Sequence, residues 1–174
     1  MISKNEIKSY LTESAIRDGI RELGHKLNEL YGNEELYMVC VLKGAVMFAT
    51  DLAKILNMPL KMEFIRLSSY GSGMTSTGKV NAVDITLPDL NDKNVLIVED
   101  IIDTGHTAKF LVDFINHNFL TRSLKFCSLL DKKVKREVDI DADFYCFEVD
   151  DKFLVGYGLD YDGNYRNLPF IGYI

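Results

Sequence analysis

The fold of this chain is decided by the stretch Val95-Leu96-Ile97-Val98-Glu99-Asp100-Ile101-Ile102-Asp103-Thr104-Gly105-His106-Thr107-Ala108. Four apolar residues, three of them β-branched, predict a buried strand over 95–98, and two adjacent carboxylates end that run. A third carboxylate, a Thr-Gly-His-Thr turn and a helix over about 108–116 are expected to follow. Strand, polar loop and helix in this order are typical of open α/β sheets, which build ligand sites at the carboxyl ends of their strands.

The polar part of this stretch has two chemical halves. Glu99 and Asp100 offer acceptors that suit sugar hydroxyls or a cation. Residues 104–107 offer hydroxyls and backbone N–H groups at a helix N-terminus, which suit a phosphate. Acids after a strand can also be solvated loop residues, and Asp or Thr before a helix can be an N-cap. Three acids together with Thr-Gly-x-Thr favour a site for a ligand that carries ribose hydroxyls next to a phosphate.

Length and composition predict one globular domain over residues 1–174. The chain is 47% hydrophobic and 26% charged, its net charge is −6, and it contains no internal repeat or linker. The acidic balance argues against a nucleic-acid partner, and the polar N-terminus without a long apolar run predicts a cytoplasmic protein with no membrane contact. Cys40, Cys127 and Cys146 lie singly in apolar runs, so we expect buried free thiols.

The rest of the chain alternates helical and extended patterns. Residues 2–33 predict an amphipathic helix, capped by Thr12 or Ser14 and ended by Gly32. Its apolar face comprises Ile16, Ile20, Leu23, Leu27 and Leu30. A second helix is expected over about 46–56. Strands are predicted at 36–42, 60–67, 80–87, 123–130 and 143–148, with 80–87 paired to the strand before it.

Two further segments have the composition of ligand contacts. Lys43-Gly44 directly follows a strand, where it suggests an anion contact, although a surface lysine at a tight turn explains it equally well. Residues 68–79 are polar and glycine-rich, with little to bury, so a mobile segment is expected. Its glycine spacing does not fit a dinucleotide fingerprint, because position 76 is serine.

The motif Glu99-Asp100-Ile101-Ile102-Asp103-Thr104-Gly105-x-Thr107 resembles the phosphoribosyl pyrophosphate-binding motif of type I phosphoribosyltransferases, in the form of their hypoxanthine-guanine branch. A C-terminal signature matches the same branch, and the similarity runs from about 36 to 166. That signature is Asp151-Lys152-Phe153-x-Val155-Gly156-Tyr157-x-Leu159-Asp160-Tyr161, followed by Arg166.

The resemblance implies an α/β fold of the type I phosphoribosyltransferase kind. Its parts would be a central, mainly parallel sheet flanked by helices, a flexible catalytic loop at about 68–79, and a small hood. The hood would combine the N-terminal segment with residues of about 131–174. The implied reaction transfers 5-phosphoribose from phosphoribosyl pyrophosphate to N9 of a 6-oxopurine, with magnesium as cofactor. Relatives are dimers or tetramers, so the resemblance also implies a homodimer or homotetramer.

Site roles for the donor side also come from the resemblance. Glu99 and Asp100 would hold the ribose hydroxyls, directly or through magnesium. Asp103 would lie near purine N7 as the general acid/base. The 5-phosphate would be wrapped by Asp103, Thr104, Gly105, His106 and Thr107. Position 106 often carries lysine or leucine in relatives, so the backbone is expected to matter more there than the side chain.

The pyrophosphate would be bound by Lys43, Gly44 and Arg166. The family commonly has a non-proline cis peptide in the Lys43 region. Ser69 and Tyr70 in the lid would reach the substrate, and closure of such a lid would exclude water.

Purine recognition would fall to residues near the C-terminus. Lys132 would donate to the exocyclic O6 and so favour 6-oxopurines over 6-aminopurines. Lys133 is adjacent, and the choice between the two depends on aligning Ser-Leu-Leu-x-Lys. Phe153 would stack on the base, Leu154 would offer backbone contacts, and Asp160 would bind a second magnesium ion.

Two other functions are compatible with parts of the sequence. A neighbouring phosphoribosyltransferase could prefer xanthine, adenine or a pyrimidine, but Lys132, Phe153 and the C-terminal signature argue against the last two. A regulator could use the same fold to sense phosphoribosyl pyrophosphate and bind nucleic acid. That function predicts a basic face or an added DNA-binding domain, and a net charge of −6 over 174 residues supplies neither.

Overall fold

A mainly parallel six-stranded sheet forms the centre of the protein. The structure, a computed structural model, describes residues 7–69 and 80–174. The strands of this sheet are β2 (Leu36–Leu42), β3 (Leu60–Ser69), β4 (Val80–Asp84), β5 (Asn94–Ile102), β6 (Ser123–Asp131) and β7 (Phe144–Glu148). Five of them run in the order β3-β2-β5-β6-β7 and pair in parallel, while β4 is antiparallel at the edge next to β3.

Helices cover both faces of the sheet. The helices are α1 (Glu13–Tyr31), α2 (Val46–Ala53) and α3 (His106–Asn118). One apolar core packs α1 and α2 against one face, and a second packs α3 against the other. Because β2 and β5 lie in the middle, they are buried on both faces, which explains their continuous apolar runs. The predicted α/β fold with a mainly parallel sheet is thus confirmed.

The prediction for the N-terminus was partly wrong. The helix begins at Glu13, where Thr12 caps it by accepting a hydrogen bond from the Ala15 N–H at 3.2 Å. The preceding residues form strand β1 (Lys8–Leu11). Gly32 ends the helix with φ 57°, as predicted. Leu30, predicted on the apolar face, is 52% exposed, because the buried stripe continues to Tyr31 instead.

Strand β5 is longer than its apolar run. The ladder to β6 continues through Glu99, paired with Ser128, to Ile102, paired with Asp131. Glu99 and Asp100 are therefore strand residues rather than loop residues, since backbone pairing does not stop at a change in side-chain polarity. Helix α3 correspondingly begins at His106, two residues before the prediction, whereas α2 ends three residues before its predicted end.

A small antiparallel sheet joins the two ends of the chain. It has the order β1-β9-β8, with β8 at Leu154–Val155 and β9 at Ile171–Tyr173. Lys8 pairs with Tyr173, a partner far away in sequence. The sheet combines the segments expected in the hood, but the division of the chain into one domain with a hood stays a prediction.

Two remaining predictions concern the lid and the cysteines. Of the lid at 68–79, residues 70–79, including Tyr70, lie outside the described residues, and Ser69 is described only as the last residue of β3. All three cysteines are free, but Cys146 is only partly buried, which corrects the expectation for that residue.

Across 7–69 and 80–174, no helix has the length and apolar character needed to cross a membrane.

Candidate active site

Three segments meet at the carboxyl ends of β2 and β5. They are the loop after β2, the end of β5 itself, and the C-terminal loop of residues 149–170, which includes β8. Gly44 follows β2, and a Cβ built on it would lie 1.7 Å from Asp100 Oδ2. Gly158, in the C-terminal loop, has φ 101°, and its Cβ would lie 2.0 Å from the Gly44 carbonyl oxygen. Only glycine permits these approaches. The exposed Lys43 is joined to Leu42 by a cis peptide bond, as the family resemblance implied.

The end of β5 carries two carboxylates that are poorly solvated. Glu99 is 8% exposed, and within the described part of the chain its Oε2 has no hydrogen-bond partner. Burial raises the pKa of Glu99 well above its usual range, and the negative charge of Asp100 adds to the effect. Burial also raises the pKa of Asp100, although its Oδ1 accepts a hydrogen bond from the Ile101 N–H at 3.0 Å.

The loop between β5 and α3 is shaped for an anion. Gly105 takes φ 90°, and no side chain caps the first turn of α3, whose N–H groups remain available. A Cβ at Gly105 would lie 2.7 Å from Ile140 Cγ2 and 2.8 Å from Arg136 Cδ, so the loop packs closely on the following segment. His106 Nε2 lies 2.9 Å from Glu137 Oε2. The His106 side chain is therefore paired with Glu137, away from the backbone of the loop.

A buried lysine lies beside this loop. The Lys132 side chain is 7% exposed, and its Nζ lies 3.9 Å from Asp103 Oδ2 and 2.8 Å from the Lys152 carbonyl oxygen. An ammonium has three donors, so buried Lys132 retains capacity for a further acceptor. Asp103 Oδ1 has no partner among the residues of 7–69 and 80–174. A buried cation thus lies beside a carboxylate that has one unpartnered oxygen.

The neighbouring lysine is occupied elsewhere. Lys133 Nζ lies 3.0 Å from Glu148 Oε2 and 3.3 Å from Tyr145 Oη, on the exposed side of β7. These two bonds raise the pKa of Lys133 above its usual value. The alternative alignment that would place Lys133 on the purine is therefore disfavoured.

The C-terminal loop supplies aromatic and charged groups. Phe153 packs edge-to-face on Tyr161 with ring centroids 5.6 Å apart, and Leu154 is buried in β8. Arg166 Nη2 lies 2.5 Å from Asp160 Oδ1, while its Nη1 donates to the Gly158 carbonyl at 2.6 Å. Asp160 Oδ2 also accepts from the Gly163 N–H at 2.7 Å, so each oxygen of this carboxylate already has a partner within the chain.

A divalent cation fits the pair on β5 better than Asp160. Magnesium prefers oxygen ligands and usually takes only one or two protein carboxylates, completing its shell with substrate oxygens and water. Glu99 and Asp100 supply two carboxylates, one with an unpartnered buried oxygen. Between residues 7 and 69 and from 80 onward, no group of three His, Cys, Asp or Glu side chains could hold a metal alone.

Sequence reasoning missed Arg136, Asp131 and Glu137. Arg136 Nε donates to the Asp103 carbonyl at 3.3 Å, its Nη2 pairs with Asp131 Oδ1, and the Glu137 N–H donates to the Thr104 carbonyl at 2.9 Å. These residues carry no spacing motif. The one available signal was the run of charged residues that directly follows an apolar strand at 131–137.

Comparison with known proteins assigns this arrangement to a class. The family model for the phosphoribosyl transferase domain matches residues 6–162. The hypoxanthine-guanine phosphoribosyltransferase of Streptococcus thermophilus (strain CNRZ 1066) is 40% identical over 172 residues, which are 99% of this chain and 95% of that protein. The chain therefore belongs to the phosphoribosyltransferase family, and within it to the hypoxanthine-guanine branch.

A solved structure and a longer relative extend the comparison. The hypoxanthine phosphoribosyltransferase of Trypanosoma cruzi, in complex with the product IMP, superposes with a TM-score of 0.87 at 38% identity, over 97% of this chain and 93% of that chain. The bifunctional protein TilS/HprT of Listeria monocytogenes serotype 4b (strain F2365) is 44% identical over 169 residues, 97% of this chain. This chain spans only 26% of the length of that relative.

Proposed function

We propose that the protein salvages purines by transferring 5-phosphoribose from phosphoribosyl pyrophosphate to N9 of hypoxanthine or guanine. The products are IMP or GMP and pyrophosphate. The observation that carries this function is the buried Lys132 ammonium 3.9 Å from the carboxylate of Asp103. It supports a role for Lys132 as the donor to a purine oxygen, beside the proposed acid at the start of the phosphate loop. The curated relative and the IMP complex of the T. cruzi enzyme support the same reaction.

The donor is bound along the line from β5 to α3. Glu99 and Asp100 hold the ribose hydroxyls, and the backbone of residues 103–107 binds the 5-phosphate at the start of α3. The pyrophosphate binds where Lys43 and Gly44 meet Arg166, whose guanidinium is a planar donor for phosphate oxygens. The close approach of Gly44 to Asp100 supports this arrangement, because the ribose and pyrophosphate contacts would then lie side by side, as cleavage of the bond between them requires.

The acceptor base lies between Lys132 and the C-terminal loop. Lys132 donates to O6, Phe153 stacks on the ring, and the Leu154 backbone contacts its edge. Asp103 then holds the proton at purine N7, where a carboxylate can exchange it as N9 attacks the sugar. A 6-amino group in place of O6 would direct hydrogens toward the Lys132 ammonium, so adenine should be a poor substrate.

Magnesium is the proposed cofactor, bound by Glu99 and Asp100, with Asp160 as a second candidate ligand. When bound it neutralises the charge that develops on the leaving pyrophosphate. Asp160 is the weaker candidate, because Arg166 and the Gly163 N–H already contact its two oxygens. A cytoplasmic location and a homodimeric or homotetrameric assembly belong to the same proposal, because both are general for the branch.

The direct test is incubation of the protein with phosphoribosyl pyrophosphate and magnesium, separately with hypoxanthine, guanine, xanthine and adenine, followed by chromatographic detection of nucleotides. We expect IMP and GMP, little AMP, and loss of both products when a chelator removes the divalent ion. Restoring magnesium should restore the products.

The other outcomes discriminate between the alternatives. No product with hypoxanthine or guanine would contradict the proposal. AMP or a pyrimidine nucleotide as the main product would indicate a neighbouring phosphoribosyltransferase. Binding of phosphoribosyl pyrophosphate without turnover of any base, together with retention on DNA, would indicate the regulator.

A further inference from the structure

The strongest unassigned feature is the side of the phosphate loop that faces away from the site. Three successive carbonyls, those of Ile102, Asp103 and Thr104, all accept hydrogen bonds from the segment 132–137. Their donors are the Lys132 N–H at 2.9 Å, Arg136 Nε at 3.3 Å and the Glu137 N–H at 2.9 Å. The middle carbonyl of the three is held by a side chain, whereas the other two are held by backbone.

These contacts fix where the loop N–H groups point. A trans peptide is planar, and its N–H points opposite to its C=O. The only cis peptide in the described residues joins Leu42 and Lys43, so the peptides of this loop are trans. With the carbonyls of 102–104 turned toward segment 132–137, the N–H groups of 103–105 are turned the other way. Successive N–H groups on one side form a concave anion-binding nest.

Arg136 is itself held firmly. Its side chain is 13% exposed, and its Nη2 pairs with Asp131 Oδ1, on a side chain that is 1% exposed at the end of β6. Nη1 donates to the Ile140 carbonyl and lies 3.2 Å from Asp141 Oδ1. Desolvation offsets much of the attraction in a buried ion pair, so such a pair is weak evidence for a stabilising role. It is better explained here by the geometry it imposes.

We propose that Arg136, anchored by Asp131, is a positioning residue that shapes the phosphate nest of residues 103–105 and sets the backbone position of Asp103. It touches no substrate atom and acts through the Asp103 carbonyl. The planar guanidinium can bond Asp103, Asp131 and Ile140 at once, which a lysine ammonium of similar charge cannot reproduce at the same three positions. This role rests on the proposed function, since it assumes that the nest receives the 5-phosphate.

The test compares a ligand that has the phosphate with one that lacks it. Affinities for IMP and for inosine are measured by calorimetry on wild type, Arg136→Met, Arg136→Lys and Asp131→Asn. A bond from a charged group contributes about 1.5–3 kcal/mol, so IMP affinity should fall about tenfold to hundredfold in Arg136→Met. Inosine affinity should fall much less, because inosine shares only the Asp103 contact and lacks the phosphate. The Arg136→Lys protein should show most of the loss despite its retained charge.

Arg122→Met is the matched control, because Arg122 also pairs with an aspartate, Asp92, but is 52% exposed at the opposite end of β6. Its IMP-to-inosine ratio should equal that of wild type. An unchanged ratio in Arg136→Met would overturn the positioning role, and so would parallel losses for both ligands. If that variant does not fold, Arg136→Lys and Asp131→Asn decide by the same criterion, with thermal melting as the check on folding.

Failure of the proposed function would show separately. It would leave the wild type without IMP formation or IMP binding, whatever the variants do. The phosphate nest would then be tested by measuring the affinities of wild type and variants for ribose 5-phosphate and for ribose. Arg136→Met should lose affinity for ribose 5-phosphate but not for ribose. The absence of that loss would overturn the positioning role.

Discussion

The two ends of β5 both bury a polar residue opposite a serine of β6, yet they differ in hydrogen bonding. At the amino end, Asn94 accepts from its register partner Ser123 at 2.9 Å and donates to Glu34 at 2.7 Å. At the carboxyl end, Glu99 is opposite Ser128, and neither Glu99 Oε2 nor Ser128 Oγ has a partner in the described part of the chain.

The difference separates structure from function within one strand. Buried polar groups are nearly always hydrogen-bonded, and leaving one unpaired is destabilising. The amino end follows this rule, because Asn94 and Ser123 are hydrogen-bonded to each other. The carboxyl end breaks it where the loop after β2 and the C-terminal loop converge on β5, which is where a ligand can supply the missing partners. Variants at the two ends should therefore differ in kind, with catalysis affected at one end and stability at the other.

The largest effect is expected at Asp103, just beyond the carboxyl end. Asp103→Asn removes the proposed acid/base, so kcat should fall about 10²–10⁴-fold, while the KM for phosphoribosyl pyrophosphate changes little. Steady-state kinetics with hypoxanthine measure both. Asp92→Asn, at the exposed turn before β5, is the control and should leave kcat unaltered. Normal turnover in Asp103→Asn would remove this residue as acid/base.

The next effect distinguishes two adjacent lysines. Lys132→Ala removes a charged donor from the purine site, and the KM for hypoxanthine should rise about tenfold to hundredfold. Lys133→Ala removes an exposed ion pair, so little loss of stability and no change in KM are expected. Kinetics with hypoxanthine and guanine measure this. If the Lys133 variant shows the KM effect instead, the assignment is displaced by one residue.

A smaller effect, of the opposite kind, is expected at the amino end. Asn94→Ala leaves Ser123 and Glu34 without their buried partner, which should lower the free energy of unfolding by about 1–3 kcal/mol. Urea unfolding measures the loss, and kcat of the folded variant should be unchanged. A fall in kcat without a loss of stability would break the distinction between the two ends of β5.

The central strands and the donor motif could be predicted from sequence because their determinants are local. Leu36–Leu42 was predicted with its observed bounds, since a run of seven apolar residues between turn signals has one interpretation. The motif at 99–107 likewise supplies its own strand end, glycine and helix start. The site residues drawn from the family resemblance remain predictions, and all of them except Tyr70 lie in the described part of the chain.

What failed depends on partners distant in sequence. The sequence pattern predicts a helix where strand β1 lies, because only pairing with β9, more than 150 residues later in the chain, makes this segment extended. The apolar run predicts that strand β5 ends before Glu99. The observed strand is longer, because its backbone ladder to β6 does not depend on hydrophobicity. The contact of Arg136 with the Asp103 carbonyl spans 33 residues and follows from no periodicity or motif.

The most direct test of the account is the pH dependence of stability in wild type and Glu99→Gln without ligands. Burial raises the pKa of Glu99, so its ionised form destabilises the folded state. That penalty is absent below the unfolded-state pKa near 4.5 and grows as pH rises toward the folded-state value, above which it stays constant. The neutral glutamine avoids it.

Thermal melting at pH 5 and pH 8 gives the answer. We predict that Glu99→Gln melts above wild type at pH 8, by about 2–4 °C for each 1 kcal/mol in a chain of this size, and that the gap narrows at pH 5. Activity should fall in the same variant. A Glu99→Gln protein less stable than wild type at both pH values would contradict the account, because Glu99 would then be a satisfied structural residue like Asn94.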